Sequence, residues 1–249
     1  MQDLTDEDFR MHYNGDMWTL MDEFWQSWGQ LVEPPMAPMY QSRIFPAELW
    51  QQMNFLHEPE PASIDHPSLR VVRREDGVLV SSCGLSWPAR WSDAEPTNGF
   101  EVEVYAASST VPSDADAAAV ASGWLGRLVA RIADLVSRDG FAFTRALERY
   151  STLSIGIGEF DLPAELAETY LDESGYATVL LGMDIADVSR TITGPLSEIR
   201  LVHIKLLTPA ETEFCVSGTT GVTDARTTLT QRFTTTGDAL WTNPRPSVA

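Results

Sequence analysis

Apolar positions in the first thirty residues recur at helical spacing. Trp18, Met21, Trp25 and Trp28 stand three or four apart and form one stripe, with Phe9 ahead of them. Asp3, Asp6, Glu7 and Asp8 suit a helix start, where Thr5 or Asp3 caps and carboxylates face the positive end of the helix dipole. Gly15 is expected to divide this stretch into a lead-in and a main helix. Pro34, Pro35 and Pro38 then stop it and impose an extended connector. A second helix is predicted from Pro46, with Leu49, Trp50, Met53 and Leu56 as its apolar face.

From Ser68 the period changes to that of strands. Leu69–Arg73 and Val78–Ser82 flank Glu75-Asp76-Gly77, a hairpin signal. A polar loop with Pro88, Asp93, Pro96, Asn98 and Gly99 follows. Phe100–Ala106 alternates, Phe100, Val102 and Val104 against Glu101, Glu103 and Tyr105, which predicts a half-exposed strand. Asp114–Arg138 reads as a long helix through Trp124, Leu125, Leu128, Ile132, Leu135 and Val136, stopped by Asp139-Gly140. Shorter elements are predicted at Leu153–Ile157 (strand), Leu162–Leu171 (helix) and Ala177–Leu181 (strand). The β-branched run Ile199–Leu207 belongs at the centre of a sheet. Thr208 and Glu211 form a capping box for the next helix. Thr219–Thr236 holds nine threonines, yet Val222, Ala225, Leu229 and Phe233 keep near-helical spacing, so a last helix is expected, with Ala239–Trp241 as a closing strand.

The order of elements predicts a mixed α/β (α+β) fold: a largely antiparallel central sheet flanked by helices, with an extra N-terminal helical segment. Residues 1–60 form that extension, packed on a main domain of residues 61–249. At 249 residues the chain buries roughly 70–75% of its unfolded surface and needs neither disulfide nor metal for a core.

Charge narrows the partners. With 17 Lys and Arg against 36 Asp and Glu the net charge is −19, which opposes nucleic acid and anionic lipid and favours basic proteins. The two cysteines, Cys83 and Cys215, are far apart and fit a reducing cytoplasm. The acidic N-terminus lacks the basic region and apolar core of a secretory signal, and no apolar run approaches membrane length.

Reactive constellations are sparse. His12, His57, His66 and His203 show no helical metal pair and there is no Cys-x-x-Cys, so no metal or other cofactor is expected. His57 and His66 bracket Glu58, Glu60 and Asp65, which read as an acidic loop. Gly156-Ile157-Gly158 lacks the third glycine of a dinucleotide fingerprint, and no G-x-S-x-G occurs. The best catalytic candidates are Cys83 and His203, either one working with a nearby carboxylate as a hydrolase. The aromatic surplus instead favours protein contact. Trp87, Trp91, Asp93 and Glu95 before the 100–106 strand, with Glu101 and Glu103 on its polar face, are the candidate partner-binding residues. The N-terminal tryptophan helix is a candidate homodimer face.

The segment Ser81-Ser82-Cys83-Gly84-Leu85-Ser86, followed by Gly99-Phe100-Glu101-Val102-Glu103-Val104, resembles the Gly-(Met/Leu)-Ser and Gly-(Phe/Tyr)-Glu-(Leu/Ile) passage of the suppressor-of-fused family. Trp124-Leu125, Thr191–Gly194, Ile199-Arg200-Leu201-Val202-His203-Ile204 and Leu207-Thr208-Pro209-Ala210-Glu211 are similar to later passages of the family, and the Thr223–Phe233 helix with Arg245-Pro246-Ser247 is similar to the end of bacterial members. The likeness covers about residues 68–247. It implies a mixed α/β domain acting by binding proteins: the animal relative sequesters a transcription factor, and bacterial members are proposed as immunity proteins that neutralise toxins. It carries no catalytic residues.

Overall fold

The structure is a computed structural model, and it describes residues 6–33, 68–91, 94–186, 188–217 and 222–249. The proposed caps Asp3 and Thr5, the helix after Pro46, the His57–His66 loop and Asp93 lie outside the described residues.

Helix α1 (Asp6–Gln26) runs unbroken through Gly15. The expected division there does not occur. A mid-helix glycine costs only about 1 kcal/mol, whereas Met17, Met21 and Trp25, four apart, are buried against the sheet below. The stripe is also rotated from the one expected. Met17 takes the inward position, and Trp18 turns aside, half-buried. Of the tryptophans in the stripe, Trp25 is buried within its own chain, and Trp18 and Trp28 are half-buried.

Strands β1 (Gln30–Leu31), β2 (Ser68–Arg74) and β3 (Gly77–Cys83) form one wing of the sheet. The Glu75-Asp76 turn between β2 and β3 is the hairpin predicted, and Gly77 holds φ +148° beside the backbone of Ser108. Next come β4 (Pro88–Trp91) and β5 (Ala94–Asn98), an antiparallel hairpin outside the main sheet, where a loop was expected. Then follow β6 (Val102–Ser108), β7 (Leu153–Glu159), β8 (Tyr176–Leu181), β9 (Thr191–Thr193) and β10 (Glu198–Leu207). The eight-stranded sheet has the order β1-β2-β3-β6-β10-β8-β7 with β9 also on β10. Every pairing is antiparallel except β6 with β10.

Helices cover both faces. On one side lie α2 (Ala117–Ser122), α3 (Trp124–Asp139), α4 (Phe141–Tyr150) and α5 (Ala164–Tyr170), packed on Val71, Val80, Val104, Val202 and Ile204. On the other lie α1, α6 (Pro209–Ser217) and α7 (Val222–Thr236), packed on Val72, Leu79, Tyr105 and Leu201. The predicted helix of residues 114–138 is two: Gly123 ends α2 and starts α3, and a Cβ on Gly126 would lie 2.1 Å from the Ala121 carbonyl oxygen. The capping box forms as read, Thr208 N–H donating to Glu211 at 2.9 Å and Glu211 N–H to Thr208 Oγ1 at 3.3 Å.

The two-sided cover overturns one expectation. Strand β6 is not half-exposed: all of Val102–Ser108 is buried. Alternation along one strand cannot reveal a second helical layer, because Glu103 and Tyr105 sit inside it with partners of their own. Likewise Ala239–Trp241 forms only a single parallel bridge, Trp241 to Ala107.

Trp25 is fully buried, tilted against Tyr105 at 5.6 Å between ring centroids. Trp25→Ala should cost about 3–5 kcal/mol in urea unfolding, the range for large aromatic truncations, whereas exposed Glu23→Ala should stay within about 0.5 kcal/mol.

Candidate functional site

Neighbouring strands β2, β3 and β6 bring three chemically active side chains together beneath α1: Arg70, Cys83 and Glu103. Leu69 and Val71 point to the opposite face, so the pleat aims Arg70 at α1. There its Nε donates to Asp22 Oδ1 at 2.7 Å and Nη2 lies 2.6 Å from the same oxygen as an ion pair, while Nη1 touches Cys83 Sγ. Burial pulls the guanidinium pKa down, but Cys83, Asp22 and Glu103 outweigh it, so the net direction is up and Arg70 keeps its charge.

Glu103 is 1% exposed and its lone pairs are occupied. Its Oε1 accepts from Gly84 N–H (2.9 Å), Ser86 N–H (3.0 Å) and Ser86 Oγ (2.6 Å), and Oε2 accepts from Ser82 Oγ. The carboxylate thus folds the Cys83–Ser86 turn around itself. Over the cluster, Trp18 stacks on Trp87 at 5.5 Å and 19°, and the Arg70 guanidinium lies 4.5 Å from the Trp18 ring centroid. The small cleft they line, bounded also by Met17 and Met21, is about 10 Å³, room for one water molecule.

Farther along the same face the polar row continues through Tyr105, His203 and Lys205. The His203 ring lies 5.2 Å from that of Tyr105, and Nε2–H donates to the Leu240 carbonyl at 2.9 Å. Burial, then the neighbouring Lys205, lowers the imidazole pKa to about 3, so His203 is neutral. Fully buried Lys205 donates to the carbonyls of Asp238 and Trp241, and burial brings its pKa down to about 7. Beyond it, Glu211 and Arg245 form a two-pronged ion pair at 2.5 and 2.7 Å. The Arg245 contacts and the donation from Val248 N–H outweigh burial and lower the Glu211 pKa.

The predicted site residues are therefore dispersed. Trp87 is half-buried under Trp18, and Glu95 is exposed on β5. Trp91 lies on β4, its side chain outside the description. Glu101 is half-exposed at φ 60° and lines a separate cleft of about 370 Å³ with Arg190, Arg200, Glu148 and Glu198. Glu103 requires correction: it is a buried organiser of the Cys83 turn, not part of an exposed polar face. Cys83 and His203 do not meet, since His203 is absent from the walls of the Cys83 cavity. Among the described residues no group of three or more His, Cys, Asp or Glu is placed to hold a metal ion, and no helix is long and apolar enough to cross a membrane. Sequence reasoning missed Arg70, Lys205 and Arg245. The signal for the first two was a cation between apolar neighbours in a strand, Leu69 and Val71 or Ile204 and Leu206; Arg245 entered only through the Arg-Pro-Ser ending of the resemblance, with no role attached.

No family model matches the chain, and no curated protein matches its sequence. Solved structures that align with it include the following two. One, described as the Sufu–Fu complex, has a TM-score of 0.47 and 14% identity over 94% of this chain and 92% of that one. The other, Drosophila Suppressor of Fused, has a TM-score of 0.40 and 14% identity over 88% of this chain and 52% of that one. The chemistry of the site rests on its own residues.

Removing the Glu103 carboxylate would strand two N–H groups and two hydroxyls and leave Arg70 with less countercharge. Glu103→Ala should destabilise the protein by about 3–5 kcal/mol, the cost of breaking a buried charge network, read from the denaturant midpoint. A loss below about 1 kcal/mol would mean that the turn does not depend on this carboxylate.

Proposed function

We propose that this chain binds another protein, most favourably a basic one such as a toxin or a regulator, and that it does so without catalysis. The observation that carries this reading is where the charges sit. Of the 17 basic side chains, Arg70, Lys205 and Arg226 are buried, and the Arg245 side chain is 4% exposed, whereas Glu103 and Glu211 are the only buried acids among the described residues. Among the described residues more cation than anion is spent inside, which leaves their surface more acidic than their composition implies. Such a field accelerates encounter with a basic surface and makes it salt-sensitive.

Two further features support binding over catalysis. The Cys83 cleft holds about one water and its carboxylate is engaged by four donors, leaving little room beside that thiol for a substrate. His203 is sealed in a neutral state and its Nε2–H is committed to Leu240. The sequence resemblance to the suppressor-of-fused family points to the same class of activity. Among the described residues of the proposed contact set, Glu95 is exposed and Glu101 half-exposed. The competing hydrolase reading draws on one observation, the Cys83 thiol beside Arg70 and Glu103.

Affinity capture should retain a basic protein at low salt and release it at high salt, and Glu95→Lys with Glu101→Lys should weaken retention. Absence of any basic protein, or equal capture by the charge-reversed form, would reject the reading. Iodoacetamide separates it from the hydrolase: native Cys83 should be alkylated as slowly as buried Cys215 in peptide mass mapping, and Trp18→Ala, which opens the lid, should accelerate Cys83 alone. Rapid alkylation of Cys83 in the intact protein would favour the hydrolase.

A further inference from the structure

Strands β6 and β10 run parallel and pair only from Val102 with Arg200 to Tyr105 with His203. Both continue, β6 to Ser108 and β10 to Leu207, but they no longer pair. The gap is filled from elsewhere in the chain. Trp241 bridges Ala107 in parallel, and Thr242 N–H donates to the Ala107 carbonyl at 2.7 Å. The same segment presents three carbonyls to β10: Leu240 to His203 Nε2–H, and Asp238 and Trp241 to Lys205 Nζ. Asn243 completes the attachment, its side chain accepting from Ser108 Oγ at 3.0 Å and Ser109 N–H at 2.9 Å.

We propose that residues 238–243 are an acid-released latch, a false strand held in the β6–β10 gap by seating the buried side chains of Lys205 and His203. The latch closes over two basic groups that are both 0% exposed, and His203 Nδ1 has no hydrogen-bond partner among the described residues. Each binds a proton more readily once the segment lifts and water reaches it. Among the described residues the charged and titratable groups that act on Lys205 are His203 on β10 itself, Glu211 on α6, and Asp238 and Arg245 beyond α7, while α7 contributes the Phe233 ring at 5.3 Å; Tyr105 on β6 packs on His203. Asp238 and Glu211 favour the ammonium and Arg245 opposes it, but burial is the largest effect.

The sign follows from linkage. Lys205 falls from an ordinary 10.5 to about 7 when the latch is closed, and His203 from 6.5 to about 3. The open state therefore takes up protons that the closed state refuses, and acid favours opening. Lys205 acts while the pH falls from its open value towards about 7, and His203 continues below that. Between about pH 8 and pH 6 the opening equilibrium should rise roughly tenfold through Lys205 and a further few-fold through His203.

Hydrogen exchange on the full chain tests this, with rates divided by the intrinsic rate at each pH. The Thr242 amide should lose protection by roughly tenfold or more between about pH 8 and pH 6, while Val80 and Val104 in the sheet centre stay protected. Lys205→Met should reduce the change to the few-fold His203 part. The latch is rejected if Thr242 protection is constant or rises on acidification, if it falls in step with Val80 and Val104, or if Lys205→Met keeps the full response. Should that variant not fold, NMR titration of Lys205 in the unaltered protein decides: a midpoint near the ordinary 10.5 overturns the proposal. None of these outcomes depends on whether the protein captures a basic partner.

Discussion

A strand buried on both faces has to satisfy every polar group it carries, and β10 carries an imidazole and an ammonium. That constraint organises half of the molecule. Unpaired in an apolar interior, either group would cost several kcal/mol, so the chain must return to them with acceptors. It does so with main-chain carbonyls, which explains the course of residues 238–243. The ion pair of Arg245 with Glu211 then anchors the rest of the segment, and Glu211 doubles as the reciprocal cap of α6. Local helix capping and a long-range tie thus share one carboxylate.

The same accounting distinguishes the two polar clusters on this face. Around Arg70 the opposing charges come from side chains, Asp22 and Glu103, and the surplus donors of the Cys83–Ser86 turn converge on Glu103. Around Lys205 the nearest acceptors are neutral carbonyls, and the carboxylates of Asp238 and Glu211 act at longer range. The first cluster is therefore held by matched charge. The second is held in direct contact by carbonyl dipoles, and burial lowers the Lys205 pKa more than the distant carboxylates raise it.

The strands and helices with a clean period were legible from the sequence: the Asp76-Gly77 hairpin, the central β10 run, the α6 capping box and the threonine-rich α7. The failures have specific causes. Gly15 looked like a break because propensity is local, whereas Met17, Met21 and Trp25 anchor the helix through packing. Gly123 did break a helix that side-chain periodicity carried through, because the close approach of α2 and α3 is a backbone event. The β4–β5 hairpin hid in a polar stretch because it lies outside the layered core and has no buried face to pattern.

Glu101 and Glu103 show where legibility ends. They have the same parity and flank the same valine, so alternation assigns both to one solvent-facing side. Their environments separate for reasons outside the strand. Glu103 faces a turn in which Gly84 and Ser86 offer N–H groups that need an anion, and α1 closes over it with Trp18. Glu101 precedes the strand, in a left-handed conformation that tilts it out of the pleat towards Arg200. One acid is consumed by folding and the other stays at the wall of an open cleft, and the difference lies in which donors the tertiary fold delivers to each.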